Sequence, residues 1–494
     1  MEKLKISENN RYFVHADNTP FTWLADTVWT MPQRIKWDDV EYYMKTRKDQ
    51  GFTVLQIVAL DPEQDVEMRN PAGEKALLNN DLNTPNEKYF EYLDWILDRA
   101  QAYGFYVLLL PVWGQLVVGC NWMGQTFDKT VTEENAYRYG QWIGHRYKDR
   151  NNILWCLGGD RQPIHQGVDY KNVWRRMAEG LAKGVLDKDL KYDQPDPAWD
   201  ELPLTYHACH EAETGECSTM SYWTDDEAWI RYIMLQSGHG ATPKNYELVE
   251  KEYRRTRTMP VWDGEPAYEL MPTMWPLDEN TPFHGSWMVR KRAYWALFSG
   301  AFGHTYGHGC VWCSISEKER NAFNPCTWYE ALRYEGAEQI RYIRALLDEL
   351  QIMTYQPVWE ICPEMPNDKM DLHIQACGSL DRKTLCIYFP SGGTARLKLD
   401  AFWAAPEDKE FLHQKVFLWW YNPRDGKFYK DGQTATDQPE SIFLTGADLT
   451  VSAPSAGEEK DWVLLIMTEQ TGIPVKVEFC PQQEIKEIKK VFEW

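Results

Sequence analysis

The chain has 494 residues, 43% hydrophobic and 26% charged, a balance that supports a large buried core and excludes extensive disorder. Its formal net charge of −21 repels phosphate backbones and anionic bilayers, which argues against a nucleic-acid or membrane partner. Eleven cysteines form no compact framework, MEKLKISENNRYF lacks the apolar core of a leader, and no run of ~18 apolar residues occurs. The expectation is a cytoplasmic protein with reduced thiols.

Strand-like and helix-like segments alternate through the first 350 residues. PFTWLAD (20–26) ends an apolar run in a polar residue, and WDDVEYYMKTRKDQG (37–51) has helical spacing closed by glycine. FTVLQIVAL (52–60) is almost continuously apolar, the pattern of a strand buried on both faces. Residues 87–103 predict an amphipathic helix, FYVLLLPVW (105–113) a strand, and 132–150 a helix opening at Thr132. NILWCLGGD (152–160), LTYHACH (204–210), IMLQSGH (233–239), MPVWDGEPAYE (259–269) and GHTYGHGCVW (303–312) supply five further strands, with helices at 168–184, 286–300 and 333–350. Eight alternations predict a (β/α)8 TIM barrel over residues 1–352. An open doubly wound sheet would carry a glycine-rich phosphate loop, and none is present.

Beyond residue 353 the pattern becomes LHIQACGS, TLCIYFPS, ARLKLDA, QKVFLWWYNP, DWVLLIM and VKVEF, short runs separated by turn residues. They predict a smaller antiparallel β-sandwich over 353–494 that packs on the barrel or binds carbohydrate.

Barrel chemistry sits at the C-terminal ends of the strands. Polar residues placed there are Asp26 and Trp29, Asp61, Trp113 and Gln115, Asp160 and Arg161, His207 and His210, Ser237 and His239, Asp263 and Glu265, and His304, Tyr306, His308 and Trp312. Two stand out: Asp160 after paired glycines with Arg161 following it, and Glu265 in WDGEP at the end of a late strand. Two carboxylates facing each other across a cleft are what glycosidic cleavage needs, one giving a proton and the other staying ionised. A separation of about 5–5.5 Å retains configuration, and a wider one inverts it. Arg161 and the histidines would orient the pair, while Trp29, Trp113 and Trp312 offer flat faces for sugar rings. His207, His239, His304 and His308 suit hydrogen bonds to hydroxyls or to a carboxylate. The 24 tryptophans and 27 tyrosines fit core packing as well as sugar platforms. Other classes stay open: a barrel that only binds glycans, or a metal-dependent hydrolase built on His207, His210, His304, His308 and the single Cys310-x-x-Cys313 pair.

NRYFVHADNTPFTWLADTVW, CLGGDR, LTYHACH, MLQSGH, WDGEPAYE and GHTYGHGCVW, in this order, resemble the apiosidase-like barrel of glycoside hydrolase family 140. The trailing region is similar to the small collagen-binding-like β domain that accompanies such barrels. The resemblance implies a retaining hydrolase of pectic side chains that needs no metal or other cofactor and takes an oligosaccharide or glycoside as its partner. It makes Asp160 the acid/base and Glu265 the nucleophile. Asp26 and the histidines of the YH, SGH and GHTYGH motifs would line the subsite.

Overall fold

The computed structural model describes residues 1–121, 124–241, 243–274, 277–278, 280–363, 372–403 and 413–477. Eight strands form one parallel sheet: β1 (Trp23–Thr27), β2 (Val54–Val58), β3 (Tyr106–Leu110), β4 (Ile153–Gly158), β5 (Leu204–His207), β6 (Ile233–Leu235), β7 (Val261–Asp263) and β8 (Gly303–Tyr306). Their spatial order is β6-β7-β8-β1-β2-β3-β4-β5. A parallel bridge from Leu204 to Ile230 draws the last strand back toward the first, so the barrel is nearly closed.

The surrounding helices are α1 (Trp37–Asp49), α2 (Glu87–Ala102), α3 (Glu133–Tyr147), α4 (Lys171–Leu186), α5 (Asn245–Tyr253), α6 (Ser286–Phe298) and α7 (Glu335–Leu350). Each predicted helix is present within a few residues. The connection after β5 departs from the eightfold pattern, because residues 208–232 carry only a 3-10 turn, Thr219–Ser221.

Alternation along the strands decides which side chains point inward. Trp23, Tyr232 and Trp262 pack on one another and on Phe13 and Phe302 inside the barrel. Higher up, Thr27, Gln56 and Thr305 join the same interior through hydrogen bonds. Residues one position away, including Leu24, Asp26, His304 and Tyr306, therefore face the helix layer.

The C-terminal part is a sandwich. Its larger sheet runs β9 (Gln356–Val358), β10 (Gln375–Gly378), β11 (Thr384–Phe389), β17 (Trp462–Met467), β13 (Lys415–Asn422) and β14 (Lys427–Tyr429), with β15 (Glu440–Phe443) also on β13. A second layer pairs β12 (Gly392–Lys398) with β16 (Asp448–Ala456). Between the layers lie Leu385, Ile387, Phe389, Leu418, Trp420, Leu464 and Ile466. The alternate residues Cys386, Tyr388, Trp419, Tyr421, Val463 and Leu465 pack instead into the barrel's own cluster. The central strands are thus buried on both faces, which is why they read as apolar runs and not as half-exposed alternation. The last predicted run, VKVEF, extends past Val477 and lies partly outside the described residues.

The contact between the two parts is also polar. Asp461 receives a two-pronged bond from Arg290 of α6 (3.0 and 2.9 Å), with Arg424 at 3.0 Å and the Tyr388 hydroxyl at 3.1 Å. Such a buried cluster fixes how the sheet sits on the barrel, since each charge is costly to strand alone.

Candidate active site

Asp160 follows β4 through an unusual turn. Gly158, Gly159 and Asp160 all have positive φ, at 85, 117 and 49°. A Cβ on Gly158 would lie 2.4 Å from the His207 carbonyl, and one on Gly159 would lie 2.4 Å from the Trp113 ring. Only glycine tolerates both the conformation and the crowding there. The turn brings the Asp160 amide to 3.3 Å from His207 Nδ1. Arg161 donates to Asp160 Oδ2 at 3.0 Å and to its carbonyl, while Gln236 Nε2 donates to Oδ1 at 2.9 Å.

Glu265 arrives from β7. Its backbone is tied to the β6 side, with Glu265 N donating to Leu235 O (3.2 Å) and Gly238 N to Glu265 O (3.1 Å). Its carboxylate lies between two imidazoles: His207 Nε2 is 2.8 Å from Oε2 and His239 Nε2 is 3.1 Å from Oε1. The Asp160 backbone amide and the Glu265 carboxylate therefore lie at the two ring nitrogens of one histidine, His207. The inward set of β5 ends at His207, whereas the preceding Tyr206 points outward onto Trp174 of α4.

The proton positions follow from the short contacts. His207 Nδ1 lies 2.7 Å from the Ala208 carbonyl, closer than the Asp160 amide, so Nδ1–H donates there. A proton on Nε2 as well makes His207 an imidazolium facing a carboxylate. Burial opposes the charged ring, but Glu265 outweighs it and raises the His207 pKa. Burial likewise opposes the Glu265 carboxylate, yet His207 and His239 hold its carboxyl well below the usual range.

Trp29 and Trp113 pack on each other at 5.2 Å and on His207 at 5.4 Å each. They wall the histidine from solvent, and both are buried, so their broad faces are not open sugar platforms as expected. Trp312 remains half-buried beside them, its carbonyl accepting from Thr30 N.

Four expected subsite residues lie elsewhere. Asp26 points outward and pairs with Arg47 at 2.6 Å and with the Tyr43 hydroxyl, both on α1. Tyr306, outward on β8, donates to Glu269 Oε2 at 2.7 Å, and Glu269 accepts from Gly336 N in the first turn of α7. His304 shares the outward side and is fully buried, its pKa pushed down to about 3 by that burial. His308 packs edge-on against Tyr334 at 4.5 Å, accepts from Cys310 N, and is likewise depressed to about 3 by burial. These side chains hold barrel and helices together. Asp263 belongs with them, bonded to Ser237 and Asn245.

Reading by strand ends missed Gln236 and Tyr268. Tyr268 lies 4.3 Å from His239, and burial together with Glu265 pushes its hydroxyl pKa well up. Gln236 sits within the MLQSGH motif, but a neutral amide carries no titratable signal. Among the described residues no three His, Cys, Asp or Glu side chains converge on a metal position, so the metal-dependent alternative finds no donor set there.

Residues 7–354 match the family described as apiosidase-like, catalytic domain. The chain belongs to the apiosidase-like family. The whole fold of this apiosidase-like protein resembles a solved glycoside hydrolase with 25% identity and TM-score 0.75, covering 94% of this chain and 97% of that one. A glycoside hydrolase family 5 structure from Bacteroides vulgatus ATCC 8482 is similar at 26% identity and TM-score 0.75, covering 94% and 92%. A search of curated proteins finds no match. With its family and these likenesses, the apiosidase-like chain is a glycosidase. Among the described residues no helix is long and apolar enough to cross a membrane.

Proposed function

We propose that this glycosidase acts by double displacement on oligosaccharides of the pectic type. The observation that carries the reading is the Glu265 carboxylate held ionised between His207 and His239, with the segment that carries His239 also holding the Asp160 carboxylate through Gln236. A nucleophile must stay ionised, and two imidazoles beside it keep it so.

In the first step Glu265 attacks the anomeric carbon as the glycosidic C–O bond breaks. Asp160 gives its proton to the departing oxygen, leaving a glycosyl-enzyme ester. In the second step Asp160 takes a proton from water, whose oxygen displaces Glu265 and releases the sugar. Arg161 supports an acidic sugar: its buried Nε and Nη2 have no partner among the described residues, and a guanidinium is well shaped for a carboxylate. The half-buried Trp312 fits the role of stacking surface.

The test is a panel of aryl glycosides and pectic oligosaccharides, with the anomer of the first-formed product followed by NMR. Retention on an acidic pectic fragment is expected. An inverted product would remove Glu265 as nucleophile and make it the base for water.

A further inference from the structure

We infer that Gln236 is a positioning residue that sets the aim of Asp160, and that residues 236–239 act as a caliper fixing the distance between the two carboxylates. The inference rests on the reading of Asp160 as acid/base.

Asp160 is not held by its surroundings alone, since a quarter of its side chain is exposed at the mouth. Its Oδ2 contact is with Arg161, the next residue in the chain, and does not tie it to the β6–β7 side. The Oδ1 contact differs: Gln236 reaches from the end of β6 across β5 to the end of β4, at 2.9 Å. Gln236 is itself held firmly. It is buried, its backbone N–H donates to Cys217 O at 2.9 Å, and its Oε1 accepts from the His210 N–H. That acceptor settles the amide orientation and turns Nε2 toward Asp160.

Two residues later the same segment grips the other carboxylate. Gly238 N binds the Glu265 carbonyl at 3.1 Å, and His239 binds Glu265 Oε1 at 3.1 Å. One short stretch after β6 therefore touches both members of the pair, whose spacing decides between retention and inversion.

The chemistry suits a proton cycle. An amide N–H can donate to Oδ1 whether the group is a carboxylate or a neutral acid, so this bond persists through catalysis. The transferable proton then resides on Oδ2. Arg161 Nη1 also donates to the Asp160 carbonyl, so it keeps an acceptor when Oδ2 is protonated.

The experiment measures kcat/KM for Gln236→Leu, Gln236→Glu, Asp160→Asn and the Gln236→Leu/Asp160→Asn double variant. The substrates are two aryl glycosides of one sugar, taken from those the wild type hydrolyses, with a good and a poor leaving group. Gln236→Leu is expected to lose about 10- to 100-fold on the poor leaving group and little on the good one, a fraction of what general acid catalysis supplies. In the Asp160→Asn background it should cause no further loss. Gln236→Glu keeps size and shape, and its added negative charge should move the basic limb of the pH profile upward. Equal losses for Gln236→Leu on both substrates, losses that add to those of Asp160→Asn, or an unmoved basic limb in Gln236→Glu would overturn the inference. Asp160→Asn harming both substrates alike would instead overturn the acid/base reading beneath it.

Discussion

Replacing Glu265 by Gln removes the counterion of His207 without changing side-chain volume, and its effect on stability depends on pH in a way the site dictates. In the wild type the raised His207 pKa means that folded and unfolded chains both carry this proton below about 6.5. The variant leaves a buried imidazole without a partner carboxylate. His304 and His308 show the limit of this, for burial without a counterion depresses each to about 3, while Asp160 and the Ala208 carbonyl still favour the His207 proton. Between pH 6.5 and 4.5 the folded variant then lacks a proton that its unfolded chain binds. Its stability falls relative to wild type by at most about 1.4 kcal/mol per pH unit, or ~2.7 kcal/mol over the window. The gap already opens above 6.5, because the proton retained on folded wild-type His207 contributes stability that is lost as pH rises through the raised pKa. Between about 4.5 and 3 the gap holds, because the depressed Glu265 carboxyl of the wild type and the depressed imidazole of the variant each leave the folded chain one proton short; below about 3 it closes, since the Glu265 contribution goes on falling toward its folded value. Urea unfolding of both proteins at half-unit pH steps measures the difference, and histidine NMR at each pH locates the proton. Parallel stability curves from pH 7.5 to 4.5 would refute the imidazolium–carboxylate pair, and with it the account of how Glu265 is kept ionised.

Turnover of Glu265→Gln at pH 7 should fall by ~10⁴-fold, about 5.4 kcal/mol of barrier, in protein that is folded in the absence of urea; wild-type rates would exclude Glu265 from the reaction. Asp461→Ala strands the Arg290 guanidinium between barrel and sandwich, so it should cost about 3–5 kcal/mol by urea unfolding while leaving kcat unchanged in the folded fraction. Gly159→Ala adds a methyl against Trp113 at a φ of 117°, and it should lower kcat more than it lowers the melting temperature, because the turn that carries Asp160 must shift.

The barrel was legible because parallel strands covered on both faces read as apolar runs such as FTVLQIVAL, and six of the eight were followed by a helical period. The irregular segment 208–232 offered no such period, and no helix stands there. The two carboxylates were legible as strand-end acids near glycines. What a list of strand ends does not contain is facing: a shift of one residue sends a side chain from the mouth to the helix layer. Asp26, His304 and Tyr306 fall on that outer side, and the parity is set by Trp23 and Trp262, which pack on each other inside the barrel. Gln236 could not be weighed at all from sequence, since its meaning comes from a partner 76 residues away. The sharpest contrast is between Asp26 and Glu265, two acids that both end barrel strands. Asp26 is matched to a permanent cation, Arg47, in a place with no exposure. Glu265 is matched to two imidazoles, one of them still partly open to the mouth. Arg47 holds the Asp26 carboxylate in the helix layer away from solvent, whereas two imidazoles keep the Glu265 carboxylate ionised beside the mouth. The identity of the partner cation, more than the acid or its position on the strand, separates the structural carboxylate from the one available for chemistry.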